Sequence, residues 1–200
     1  MSHLAATIIH EEHATVAAVL RSLLAMIRQG PGTEPERFFG VLRAMLFYID
    51  EFPEQRHHPK ESNLLFPKLA RAHPELMPVI RKLETDHMAG EGRVRELQHL
   101  LAAWEFIGET RRAAFEEQAH EYVNFYLNHM RTEETELMPA AEKGLSAAEW
   151  AELDAAFAAD RDPLAGGVSD RHYDRLFTRI VLTAPAPIGV GPSAESLLQP

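Results

Sequence analysis

Two hundred residues are enough for one domain with a sizeable core. Thirty acidic against twenty basic side chains give a net charge of −10, which argues against nucleic acid or an anionic membrane surface as partner. Cysteine is absent, which excludes disulfides, thiolate metal sites and cysteine nucleophiles and leaves His and carboxylate as the strong ligands. No run approaches the ~18 apolar residues of a membrane span. The N-terminus has no basic flank leading into an apolar block, so no signal peptide and a cytoplasmic location are expected.

Ile9, His13, Val16, Leu20, Leu23 and Ile27 form the alternating stripe of a bundle helix, ended by Gly30-Pro31-Gly32. Thr33 with Glu36 reads as a capping-box start, with Pro35 in the first turn. A second helix follows with Phe38, Leu42, Met45, Ile49 and Phe52. It should bend or restart at Pro53 and Pro59, where the stripe slips by one residue onto the line of Pro53, His57 and Glu61. His58, preceding Pro59, is biased away from helical geometry. The segment then breaks near His73-Pro74.

The third helix carries Leu76, Ile80, Leu83, His87, Gly90, Val94, Leu97, Leu101 and Trp104 on one line. Gly90 and Gly92 each cost roughly 1 kcal/mol against alanine, which a close helix approach or room beside His87 would justify. A fourth helix from about Glu109 to Lys143 presents Tyr126, His129 and Glu133, and Gly144 stops it. Ser146 with Glu149 opens another helix to about Ala159. Asp160 to Gly167 reads as a linker, Ser169 or Asp170 as the start of a short helix through Leu182, and the tail from Ala184 as irregular. The expected fold is all-α: an up-down-up-down four-helix bundle over residues 1–145, with a helical extension over 146–200 packed outside it and carrying no nameable chemistry.

The chemistry lies in a repeat. His57-x-x-x-Glu61 and His129-x-x-x-Glu133 each place an imidazole and a carboxylate one turn apart on a helix face. Each glutamate stands six residues before a proline that follows a large apolar residue, Phe66-Pro67 and Met138-Pro139. The two segments superpose at a constant offset of 72 residues, and the first helix superposes on the third with His13 on His87, each preceded by an acid, Glu12 or Asp86. In a bundle with short connections all four histidines lie roughly 14 to 21 Å from one end, so they meet at one level. Buried without compensation such a cluster is costly, and a metal resolves the cost.

Four imidazoles and two carboxylates are too many ligands for one closed tetrahedral zinc and suit two ions bridged by the carboxylates. Iron is preferred on ligand type, with manganese or a zinc-containing pair as the alternative. Two Fe(II) would leave a positive core that attracts oxide, hydroxide or peroxide. A ferritin-like plan wants Glu-x-x-His on two helices; Glu54 with His57 fits, but Tyr126 stands where His129 would need its glutamate, and that plan is rejected.

The order His13, His57-x-x-x-Glu61, His87, His129-x-x-x-Glu133 resembles the hemerythrin-like family of His-His-Glu cation-binding domains over roughly residues 5 to 145. The resemblance implies a non-haem di-iron centre, oxo- or hydroxo-bridged, with Glu61 and Glu133 as carboxylate bridges. Two departures stand out. Oxygen-carrying members have a second histidine one turn after the third-helix histidine, where this chain has Glu91, and their fourth-helix motif is His-x4-Asp. Glu91 is therefore a further candidate ligand, and His10, His58 and Tyr126 are neighbours that could complete the coordination. As a ligand, Glu91 would favour Fe(III) and disfavour reversible O2 release. The expected function is binding or sensing of O2, NO or peroxide, or iron handling. The alternatives are an oxidoreductase turning over peroxide or NO, and a structural zinc bundle. A sensor would need a redox or signalling protein partner.

Overall fold

A computed structural model describes residues 3–168 and 171–191 of the chain. All regular structure among the described residues is helical, and none of it is strand. The first rod is α1 (Leu4–Gln29). The second, residues 35–72, runs through α2 (Pro35–Ile49), α3 (His58–Lys60) and α4 (Phe66–Ala72), joined by π-helical segments at Asp50–His57 and Glu61–Leu65. The third is α5 (Met77–Ile107). The fourth joins α6 (Arg112–Thr132) to α7 (Met138–Gly144) through a π segment at Glu133–Leu137. The first rod packs on the second and fourth, and the third rod also packs on the second and fourth, closing a ring. None of these helices is long and apolar enough to cross a membrane.

The prolines widen the second rod instead of breaking it. His58 stays helical at φ −55°, ψ −39°, and its N–H donates to the Pro53 carbonyl five residues back. Phe66 N–H reaches the Glu61 carbonyl, and Met138 N–H the Glu133 carbonyl, in the same five-residue step. In all three cases the donor immediately precedes a proline. A proline ring crowds the carbonyl four residues before it and has no N–H to give, and the wider turn accommodates both effects. A π turn inserts one extra residue into the helical repeat. That extra residue is the one-residue slip of the stripe at Phe52–Pro53.

The start of α2 also differs from expectation. Glu34, not Thr33, is the N-cap, and no side chain caps it. Ser146 does form the capping box with Glu149 that opens α8 (Ala147–Ala159). The short helix after the linker is α9 (Asp174–Thr183); Ser169 and Asp170 lie outside the described residues, as does the tail from 192.

Buried apolar side chains form two clusters, one towards each end of the ring. One gathers Leu20, Leu23, Leu42, Met45, Val94, Trp104, Phe115 and Tyr122. The other gathers Ile8, Ile9, Leu65, Phe66, Leu83 and Leu137, with Trp150, Leu153 and Phe157 of α8. In every rod the histidines and glutamates of the repeat fall between these clusters. They form a polar layer sealed by apolar layers on both sides. Phe177 and Ile180 of α9 extend the first cluster.

Candidate metal centre

Each half of the repeat closes one histidine pair. His13 Nε2 lies 3.2 Å from His57 Nε2, and His87 Nε2 lies 3.0 Å from His129 Nε2. Between the pairs stand Glu61 and Glu133, which are 0% and 1% exposed. Glu61 turns Oε1 to His57 at 3.1 Å and His13 at 3.9 Å, and Oε2 to His87 at 3.6 Å. Glu133 turns Oε1 to His129 at 3.2 Å and His87 at 3.7 Å, and Oε2 to His13 at 3.4 Å. Each carboxylate thus offers one oxygen to each pair, as a bridge would. None of the four oxygens has a geometrically sound hydrogen bond, although all are buried.

Two buried carboxylates need compensating positive charge. Protons can supply part of it. Burial works against a charged His57, but the nearby Glu61 charge, together with the hydrogen bond to Glu12, lifts its pKa to about 10. Burial likewise opposes a charged His129, whereas Glu133, Glu61 and Asp86 raise it. Glu133 would be raised by burial, yet His129, His87 and His13 hold it well below the usual carboxylate range. These protons stand where cations would, and metal binding must displace them.

Behind the centre, every imidazole is held by its other nitrogen. Glu12 holds His57 Nδ1 at 2.6 Å, Glu134 holds His13 Nδ1 at 3.2 Å, and Ser62 meets His87 Nδ1 at 2.8 Å. Asp86 lies 3.5 Å from His129 Nδ1. Asp86 therefore orients the fourth-rod histidine, not its own neighbour His87, and Glu84 is exposed. Such partners fix the ring orientation and raise ligand basicity.

Glu91 is not brought to the cluster. Its side chain is 47% exposed and pairs with Arg95 at 2.9 Å, because α5 turns it away from the ring's interior. His10 is exposed too and meets Glu134. The neighbour that does arrive is His58, whose helical backbone turns its ring inward. It stacks on His87 at 4.0 Å between centroids, and burial holds its pKa well below the ordinary value. His58, Glu61, His87 and His129 offer donor atoms all within 4.8 Å of one another, and His13, His57 and Glu61 form a second such group. Glu61 is common to both.

The shared membership of Glu61 and the matching histidine pairs are the signature of a cation-binding bundle. A family model for the hemerythrin HHE cation binding domain matches residues 4–141. The chain belongs to that family. No curated protein matches it.

Within this HHE domain His58 leads a buried hydrogen-bonded chain. Its Nδ1 meets Glu54 Oε2 at 3.1 Å, its Nε2 meets the Tyr126 hydroxyl at 2.8 Å, and Tyr122 donates to Glu54 Oε1 at 2.9 Å. Burial raises Glu54 to about 7. Glu54 also explains Gly90: a Cβ there would stand 2.5 Å from Glu54 Oε2. Nothing in the structure explains Gly92. Sequence reasoning undervalues His58 and Glu54, since the proline masks the inward turn of one and the other carries no metal motif of this family. Ser62 and Glu134 were findable, because they coincide at the same 72-residue offset as the ligands.

Proposed function

We propose that this HHE domain is a non-haem di-iron centre in an up-down-up-down four-helix bundle, residues 1–145, with residues 146–200 as a helical extension and irregular tail packed on it. It binds or senses a small ligand (O2, NO or peroxide), or handles iron. His13 and His57 would hold one cation, His87 and His129 the other, with Glu61 and Glu133 across both. The observation that carries this is the pair of buried carboxylates, each with one oxygen towards each histidine pair and no other partner. An N/O donor set with two bridging carboxylates is suited to iron, with manganese or zinc as poorer alternatives.

When bound, iron supplies reversible one-electron chemistry and an open coordination position for a small ligand. The protein does the rest. Glu12, Glu134, Ser62 and Asp86 aim the imidazoles, and the two apolar clusters keep bulk water from the polar layer. Five imidazoles surround the centre once His58 is counted, and Glu91 adds no negative charge to it. That balance supports ligand binding more than permanent oxidation.

One observation favours an enzymatic second reading, turnover of peroxide or NO. The Tyr126 Oη and His58 Nε2 contact, continued through Glu54 to Tyr122, can hold and pass a proton beside the His87–His129 pair. The reading also places the chain in the cytoplasm, and a sensor would act through a redox or signalling protein.

Elemental analysis with an optical spectrum tests the proposal. Two irons per chain with near-ultraviolet ligand-to-metal bands are expected. One zinc and a colourless protein would replace it with a structural bundle. Peroxide or NO consumed faster than free iron explains would select the enzyme.

A further inference from the structure

Beside the His13–His57 pair runs a narrow cavity with about 10 Å³ open to the centre of a water-sized molecule, room for about one such molecule. His13, His57 and His58 line it on the inside, and Arg56, Lys60 and Asp160 on the outside. The second rod supplies one side of this mouth, and the end of α8 with the turn after it supplies the other. Lys60 Nζ donates to the Asp160 carbonyl at 2.8 Å and lies 4.8 Å from the Phe157 ring centroid. Arg56 faces Asp160 at 3.5 Å and is held from behind by Glu51 at 2.8 Å. Deeper in, the linkage is buried. Phe157 meets the His57 ring edge-on at 5.9 Å, and the Asp162 N–H donates to Glu12 Oε1 at 2.8 Å.

We infer that this cavity is the route by which a small ligand reaches the metal pair, and that Arg56, Lys60 and Asp160 decide what passes. The inference rests on the di-metal reading above and adds the route and the residues that gate it. Polar contacts that water can replace hold the mouth, whereas buried contacts hold the floor. The mouth can therefore open while the ligand shell keeps its geometry. Its width favours small species and excludes organic substrates. The competing approach is a shallow groove between α1 and α6, lined by Arg21, Arg131 and Glu134. It reaches His13 from the Nδ1 side, where Glu134 already stands.

A chain without cysteine makes the test clean. Asp160→Cys and Lys60→Cys are each prepared in the full iron-loaded chain and capped with a bulky disulfide-forming reagent. Azide association is followed by stopped flow on its charge-transfer band. Capping is expected to slow association about tenfold, with iron content and final azide amplitude unchanged, and a reductant should restore the rate. Arg131→Cys, capped the same way, should bind azide at the wild-type rate. An unchanged rate after capping at 160 and 60, a slowing only at 131, or a loss of iron that tracks the slowing would each overturn the inference. A wild-type chain that takes up no metal overturns the di-metal reading itself, an outcome read before any cap is added.

Discussion

His13 and His57 are braced from behind by two carboxylates, Glu134 and Glu12, whereas His87 and His129 have the Ser62 hydroxyl and a more distant Asp86. The same repeat made both halves, and the inner side chains, histidine pair and bridging glutamate, are the same in each. What differs is the outer ring. A carboxylate behind an imidazole raises its basicity and fixes its direction more strongly than a hydroxyl does. The half with the weaker outer ring has the additional imidazole, His58. The two histidine pairs are therefore chemically unequal although their inner donors match. In a site assembled from a repeat, the inner set is what the two positions share, and the outer set shows how they differ.

The largest expected effect erases the comparison. Glu61→Ala removes a donor from both pairs at once, so elemental analysis should find metal lost from both positions. Retention of one full equivalent would mean that Glu61 does not bridge. Glu12→Gln should act on one side only. It weakens one of two metal equivalents by about 10–100-fold, which splits a titration of metal-free protein into two steps. Ser62→Ala should weaken the other equivalent by less. Equal losses from these two variants would remove the asymmetry.

Proton linkage sharpens the same contrast. His57 has a folded-state pKa of about 10, above the ordinary histidine value of 6.5. Its protonation thus contributes stability that is fully present below pH 6.5 and is lost as pH rises towards 10. Metal-free protein should lose melting temperature across that window. Metal-loaded protein, whose cations replace the proton, should not. Parallel curves for the two forms would show that the cations do not take over the charge held by His57.

The helical class and the six inner residues were legible because each rests on a local period: apolar residues at helical spacing, and His-x-x-x-Glu repeated at one offset. Glu91 was misread for a related reason. Its position one turn after His87 matched a family pattern, but α5 turns that position to solvent, where Arg95 takes it up. His58 was undervalued because Pro59 argues against helix locally, while the surrounding rod imposes a π turn that keeps the backbone helical. Tertiary packing decided both, and no window of one helix contains it. The extension was read as chemically silent. Yet Phe157 abuts His57, and Asp162 meets Glu12 through its N–H and the Tyr48 hydroxyl through its side chain. Contacts between positions 100 to 150 residues apart leave no periodic trace.

The smallest effects separate two glycines that look alike in the sequence. At the offset that places His13 on His87, Gly90 falls on Val16, and at the companion offset Glu54 falls on Tyr126. The first half thus carries valine and a buried glutamate where the second carries glycine and tyrosine. An alanine at 90 would meet both Glu54 carboxylate oxygens, at 2.5 and 2.6 Å. A free glutamate would swing aside, but this one is tied to Tyr122 and His58. Overpacking of this kind costs about 1–3 kcal/mol, against which the better helix propensity of alanine returns about 1 kcal/mol. Gly90→Ala should therefore leave the melting temperature unchanged or lower, and should disturb His58. A Cβ at Gly92 would have nothing within 4 Å of it. Gly92→Ala should raise the melting temperature by roughly 2–4 °C, as about 1 kcal/mol does in a chain of this size. Two shifts of the same sign and size would mean that Glu54 does not occupy the space that Gly90 leaves, and that the two halves differ less in packing than in charge.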